Sequence, residues 1–171
     1  MLQAPENNIH KRGTIIFVCT ANICRSPIAE GLLKKALEKE TPPLCDLGVI
    51  SAGTSAYNGD LPSIYSVQVL KKVGIDLSSH KSQCLNEKLV SEAFAIFCMT
   101  STHKLIIENQ FHGILPPHLY LLRQWLPQST DIPDPYGLDL EAYENCRDAI
   151  AESMPSILSF LKSHYPTTPP L

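Results

Sequence analysis

Cys19 and Arg25 close the two ends of a short stretch, "CTANICR", in which only Thr20, Ala21, Asn22, Ile23 and Cys24 lie between them. A thiol and a guanidinium so placed suit an attack on phosphorus. The guanidinium is a planar fork that matches two oxygens of a phosphoryl group, which the point charge of a lysine does less well. Inward-turned backbone N–H groups, the start of a helix and the nearby cation would together favour the ionised thiol, the form that acts as nucleophile. One anion cradle would then hold a phosphoryl dianion and also activate the sulfur. An aryl oxide leaves slowly near neutral pH unless it is protonated, so a carboxylic acid must face the sulfur. "DIPDPYG", residues 131–137, offers Asp134 between Pro133 and Pro135, whose rings stiffen the loop that would aim it.

Positioning these groups requires a strand, a loop and a helix in that order. Ile15–Val18 is an unbroken apolar run, as expected of a strand covered on both faces. Ser26 followed by Pro27 reads as an N-cap and first helical residue, opening a helix to about Lys39 with Ala29, Leu33, Ala36 and Leu37 on one face. "VISAGT" (49–54), "AFAIFCM" (93–99) and "LYLL" (119–122) predict three further strands. Helices are expected over about 63–73, with Val67, Leu70 and Val73 on one side and Gly74 as its stop, and from Thr100–Ser101 toward Asn109. A long amphipathic helix should start near Asp139, with Tyr143, Cys146, Ile150, Met154, Ile157 and Leu161 inward, and Pro155 should kink or divide it. The pattern predicts an α/β three-layer sandwich around a mostly parallel four-stranded sheet, with the phosphate-binding loop beyond the carboxyl end of the first strand.

At 171 residues the chain is expected to form one domain, with a core over about 14–164 and flexible tails. Its formal charge of −3 provides no cationic excess for a nucleic-acid backbone, and no apolar run is long enough to span a membrane. Six scattered cysteines without an evident export signal predict reduced thiols in a cytoplasm. A zinc site of Cys19, Cys24, His80 and Cys84 has near-ligand spacing, but it would set a metal cation beside Arg25.

"VCTANICRSP" together with "VISAGT", "GIDLSSH" and "DIPDPYG", in that order, resembles the low-molecular-weight protein tyrosine phosphatase family over nearly the whole chain. The resemblance implies Cys19 as nucleophile, Arg25 as phosphate clamp, and Asp134 as general acid and then base. It implies a substrate-binding loop of Thr20, Ala21, Asn22, Ile23, Cys24 and Ser26. Asn22 would be held in an unusual backbone conformation by Ser26, Ser51 and His80, a geometry that asparagine tolerates better than most residues. Cys24 would be able to form a reversible disulfide with Cys19. The implied partners are phosphorylated proteins as substrates and inorganic phosphate as product and inhibitor, and neither metal nor organic cofactor is implied.

Departures from the family pattern bear on substrate choice. Ala21 replaces the usual loop glycine, and "DLPSIYS" replaces the usual start of the second helix, which must be anchored in another way. The usual aromatic pair after Asp-Pro is a single Tyr136 followed by Gly137, leaving Tyr57 and Tyr136 as the expected cleft walls. That pattern also resembles the family's protein arginine phosphatase branch, whereas Ile23 resembles the phosphotyrosine enzymes; phosphotyrosine is the reading adopted. Arsenate reduction would need a closer relay of cysteines than Cys84 and Cys98 provide. A phosphate-reading module without turnover would be expected to lose the thiol or the acid, and this chain has both.

Overall fold

A computed structural model describes residues 13–128 and 131–166; the expected terminal tails lie outside the described residues. Strands β1 (Thr14–Cys19), β2 (Gly48–Gly53), β3 (Ala93–Cys98) and β4 (His118–Leu121) form one sheet in the order β2-β1-β3-β4. Every neighbouring pair is parallel, so the sheet expected to be mostly parallel is wholly so. Parallel strands need crossover connections that cover both faces, which is why β1 and β3 carry continuous apolar runs rather than alternating ones.

The side-chain alternation along β1 sorts its residues into two cores. Ile15 and Phe17, with Ala95 and Phe97 of β3, pack against α1 (Arg25–Leu37), α2 (Ile64–Lys71), α5 (Leu140–Ala151) and α6 (Met154–His164). Ile16 and Val18, with Ile96 and Cys98, pack against α3 (Glu87–Glu92) and α4 (Ser101–Gln110). The result is the expected three-layer sandwich.

Helix boundaries differ from expectation where side chains have other work. α1 begins at Arg25, two residues before Pro27, and Ser26 is not its N-cap because its hydroxyl is drawn into the preceding loop. Pro27 still lies in the first turn, where a missing N–H is harmless. α2 ends at Lys71, so Val73 falls beyond it and is exposed, while Gly74 supplies the left-handed stop at φ +76°. The start of α2 is anchored by Ser63, whose hydroxyl accepts from Ser66 N–H at 3.3 Å and whose own N–H donates to Ile23 O at 2.9 Å. The long C-terminal helix is divided rather than kinked: α5 ends at Ala151, and Pro155 lies in the first turn of α6. α3, six residues capped by Asn86, has no counterpart in the sequence-based expectation.

Phe97 is fully buried and stacks on Phe17 with ring centroids 5.8 Å apart. Phe97→Ala is expected to lower unfolding free energy by about 3–5 kcal/mol, read from denaturant melts.

Candidate active site

β1 ends at Cys19, and the chain turns through residues 20–24 into α1 at the carboxyl edge of the sheet. The end of β2 fixes that turn. Thr54 N–H donates to Cys19 O and Ser55 N–H to Thr20 O, both at 2.9 Å. A β-carbon at Gly53 would lie 2.3 Å from Thr20 O and 3.0 Å from Asn22 N, so only glycine admits the loop at this distance.

Asn22 has φ +57°, the one positive value at a non-glycine residue among those described. Its side-chain amide donates to Ser26 Oγ at 2.9 Å and to Ser51 Oγ at 2.8 Å. Its side-chain oxygen accepts from Gln83 N–H at 2.8 Å, and His80 Nε2 lies 2.8 Å from its backbone carbonyl. Ser51 in turn donates to Glu30 Oε2 at 2.6 Å. Ser26, Ser51 and His80 thus all meet Asn22, together with Gln83, and Glu30 meets Ser51; the last two are residues that sequence reasoning missed.

The loop so held turns polar groups toward the Cys19 sulfur. Ser26 Oγ lies 3.0 Å from Sγ, and the Asn22 N–H donates to it at 3.3 Å. Arg25, its side chain 5% exposed, donates from Nη1 to Ile132 O at 3.1 Å and from Nη2 to Asp134 Oδ2 at 2.9 Å. Asp134 is half exposed, and its other oxygen accepts from Tyr136 N–H at 3.2 Å, a local turn that orients the carboxylate. Residues more than a hundred positions apart thus meet at one point. Ala21 and Ile23 are half-buried on the loop, and Ala21 keeps a negative φ, so its methyl brings no left-handed strain.

Cys24 is buried against α5. Its Sγ lies 3.2 Å from Tyr143 Oη, and burial raises its pKa, so it keeps its proton near neutral pH. Burial likewise pushes Tyr143 up to about 12. The residues of the zinc alternative do not converge, since His80 Nε2 is on Asn22 O and Cys84 Sγ points to Leu85 O. Tyr57 and Tyr136 stand in solvent at 82% and 68% exposure on segments flanking the loop, rather than packed into a closed cleft. His103 was also missed: it is buried, and its Nε2 lies 2.8 Å from Thr20 Oγ1. Its separation of 83 residues from Thr20 leaves no local signal.

The family model for low molecular weight phosphotyrosine protein phosphatases matches residues 14–166. The chain belongs to that family. It is 36% identical over 149 residues to a protein-arginine-phosphatase of Bacillus subtilis, covering 86% of this chain and 96% of that one. It is equally 36% identical over 137 residues to a probable low molecular weight protein-tyrosine-phosphatase EpsP of Ralstonia nicotianae, covering 80% and 88%. Among solved structures, the YwlE arginine phosphatase with a phosphorylated active-site serine superposes with a TM-score of 0.79 at 31% identity, covering 89% of this chain and 97% of that chain. No described helix is long and apolar enough to cross a membrane.

Gly53→Ala is expected to leave far-UV circular dichroism unchanged but to displace the loop, lowering turnover of an aryl phosphate about a hundredfold. Full activity in that variant would mean that the approach of β2 does not set the loop.

Proposed function

We propose that this member of the family hydrolyses phosphotyrosine in proteins through a cysteinyl-phosphate on Cys19. The observation that carries the reading is the Arg25–Asp134 pair, 2.9 Å apart across 109 positions of sequence, at the start of the helix that follows the Cys19 loop.

Without substrate, the Arg25 fork is engaged by Asp134. An arriving phosphoryl dianion competes for the same Nη2 donor and offers the stronger charge, so the pair exchanges. Asp134 then serves as the carboxylic acid of the first step. The Cys19 sulfur attacks phosphorus as the P–O bond to the aryl group breaks, and Asp134 hands its proton to the leaving oxygen. In the second half, the Asp134 carboxylate takes a proton from a water whose oxygen attacks phosphorus. The S–P bond breaks, and the sulfur leaves as a thiolate with the Ser26 hydroxyl 3.0 Å away. Inorganic phosphate is released from the same cradle, and for that reason also inhibits by occupying it. Thr20, Ala21, Asn22, Ile23, Cys24 and Ser26 form the loop around the phosphoryl group, with Tyr57 and Tyr136 on the flanks of the approach.

Phosphoarginine is the second reading, favoured by the arginine phosphatase relatives. Against it stands Ile23, an apolar side chain on the loop that suits a flat aryl group better than a guanidinium. The six cysteines, all free thiols, support a cytoplasmic setting.

Two measurements check this mechanism. Purified protein offered phosphotyrosine and phosphoarginine peptides in parallel should release phosphate preferentially from the former, and Cys19→Ser should abolish release; equal release from that variant would end the proposal. Asp134→Asn is expected to slow esters with poor leaving groups by about 10²–10⁴-fold while sparing those with very good ones. Uniform slowing would indicate a structural role for Asp134.

A further inference from the structure

His103 lies in the first turn of α4, 4% exposed, and both of its ring nitrogens have partners. Nδ1 is 2.9 Å from Thr100 Oγ1 and Nε2 is 2.8 Å from Thr20 Oγ1. The Thr100 oxygen accepts the His103 backbone N–H at 3.3 Å as the cap of α4, and its hydroxyl proton is free to be given to Nδ1. A ring proton on Nε2, donated to Thr20, then satisfies both ring nitrogens. Thr20 Oγ1 also lies 3.5 Å from Arg25 Nη2. With His103 and Arg25 both donating to it, the Thr20 hydroxyl would turn its own proton toward the open side of the loop, where the residue is exposed.

We propose that His103 is a positioning residue for phosphoryl binding: a neutral Nε2–H donor that aims the Thr20 hydroxyl at the phosphoryl group and braces the flank of the Arg25 guanidinium. The inference rests on the phosphatase reading of the loop. It adds a second row behind that loop, running from Thr100 through His103 and Thr20 to Arg25, on the side opposite the Asn22 network.

The surroundings keep the imidazole neutral. Burial is the largest influence and the Arg25 cation on α1 acts in the same direction, while Asp134 and Asp131 on the loop after β4 pull weakly the other way. Lys104, the next residue on α4, is a further cation on its own element. Burial and Arg25 hold the His103 pKa down to about 4 from the ordinary 6.5. In the unfolded chain the imidazole therefore takes up a proton at a higher pH than in the folded one. The stabilisation is complete above about pH 6.5 and is lost as pH falls toward about 4.

The test uses full-length protein, inorganic phosphate as the probe of binding, and an aryl phosphate as the probe of turnover. His103→Leu removes the donor, Thr20→Val removes the acceptor, and His103→Gln restores an amide N–H close to the Nε2 position. Either deletion is expected to weaken phosphate affinity and kcat/KM about tenfold, the double variant no more than either, and His103→Gln to stay within about threefold of wild type. Losses that multiply in the double variant, or a glutamine variant as poor as leucine, would overturn the proposal.

Imidazole nitrogen shifts give a readout that folding alone would not move. They should report the Nε2–H tautomer without titration from about pH 5 to 8, whereas a midpoint near the ordinary histidine value of about 6.5 would contradict the assignment. If His103→Leu does not fold, Thr20→Val decides alone: its His103 nitrogen shifts must change, and unchanged shifts overturn the contact. Phosphate binding is measured on the same proteins, so an inactive wild type would sink the hydrolase reading while the coupling between His103 and Thr20 was still decided.

Discussion

Everything chemical in this molecule depends on one residue being held in a backbone conformation that most side chains resist. Asn22 sits at φ +57°, and its side-chain amide, side-chain oxygen and backbone carbonyl are all engaged by Ser26, Ser51, Gln83 and His80. Each hydrogen bond contributes on the order of 1 kcal/mol, comparable to the cost of the strained backbone it offsets. Because the partners come from α1, β2 and the segment before α3, the loop cannot relax without disturbing three parts of the fold. Its shape, and the direction of the N–H that meets the Cys19 sulfur, are set before any phosphate arrives. Such preorganisation is what lets fixed dipoles stabilise charge without reorganising at the moment of reaction.

The sheet serves this loop in a specific way. Parallel pairing of β1 with β2 puts Cys19 beside Gly53, and the absence of a side chain at Gly53 lets the loop backbone fold directly over the end of β2. Pairing of β1 with β3 brings Thr100 and α4 up behind Thr20, so that His103 meets the loop from the opposite side. Asp134 arrives from the loop after β4, guided by the Ile132 carbonyl that also accepts from Arg25. Strand order therefore decides which distant residues reach the sulfur.

Much of this was legible in the sequence because its signals are local. The apolar run before Cys19, the spacing to Arg25, the proline-flanked Asp134 and the alternation of strands with amphipathic helices are each contained in a short window. Asn22, Ser26, Ser51 and His80 were accessible only through the family resemblance, since nothing in their own neighbourhoods ties them together. Gly53, Gln83 and His103 were missed because their importance comes from sheet register: each is ordinary in sequence and becomes critical only when two strand ends lie side by side. The shifted start of α1 has a related cause. Ser26 has the chemistry of an N-cap, but its hydroxyl is held by Asn22 and the Cys19 sulfur, and tertiary bonding outweighed the local preference. The exposed Tyr57 and Tyr136 show that an aromatic residue in the right place along the chain need not be packed against anything.

The most direct measurement of the central claim is the calorimetric affinity of the protein for inorganic phosphate with and without the Asn22 side-chain amide. If the hydrogen-bonded asparagine sets the shape of the loop, Asn22→Ala will stay folded yet bind phosphate at least about tenfold more weakly than wild type. Unchanged affinity in a folded Asn22→Ala protein would show that the cradle forms without the network, and would contradict the dependence of the site on Asn22.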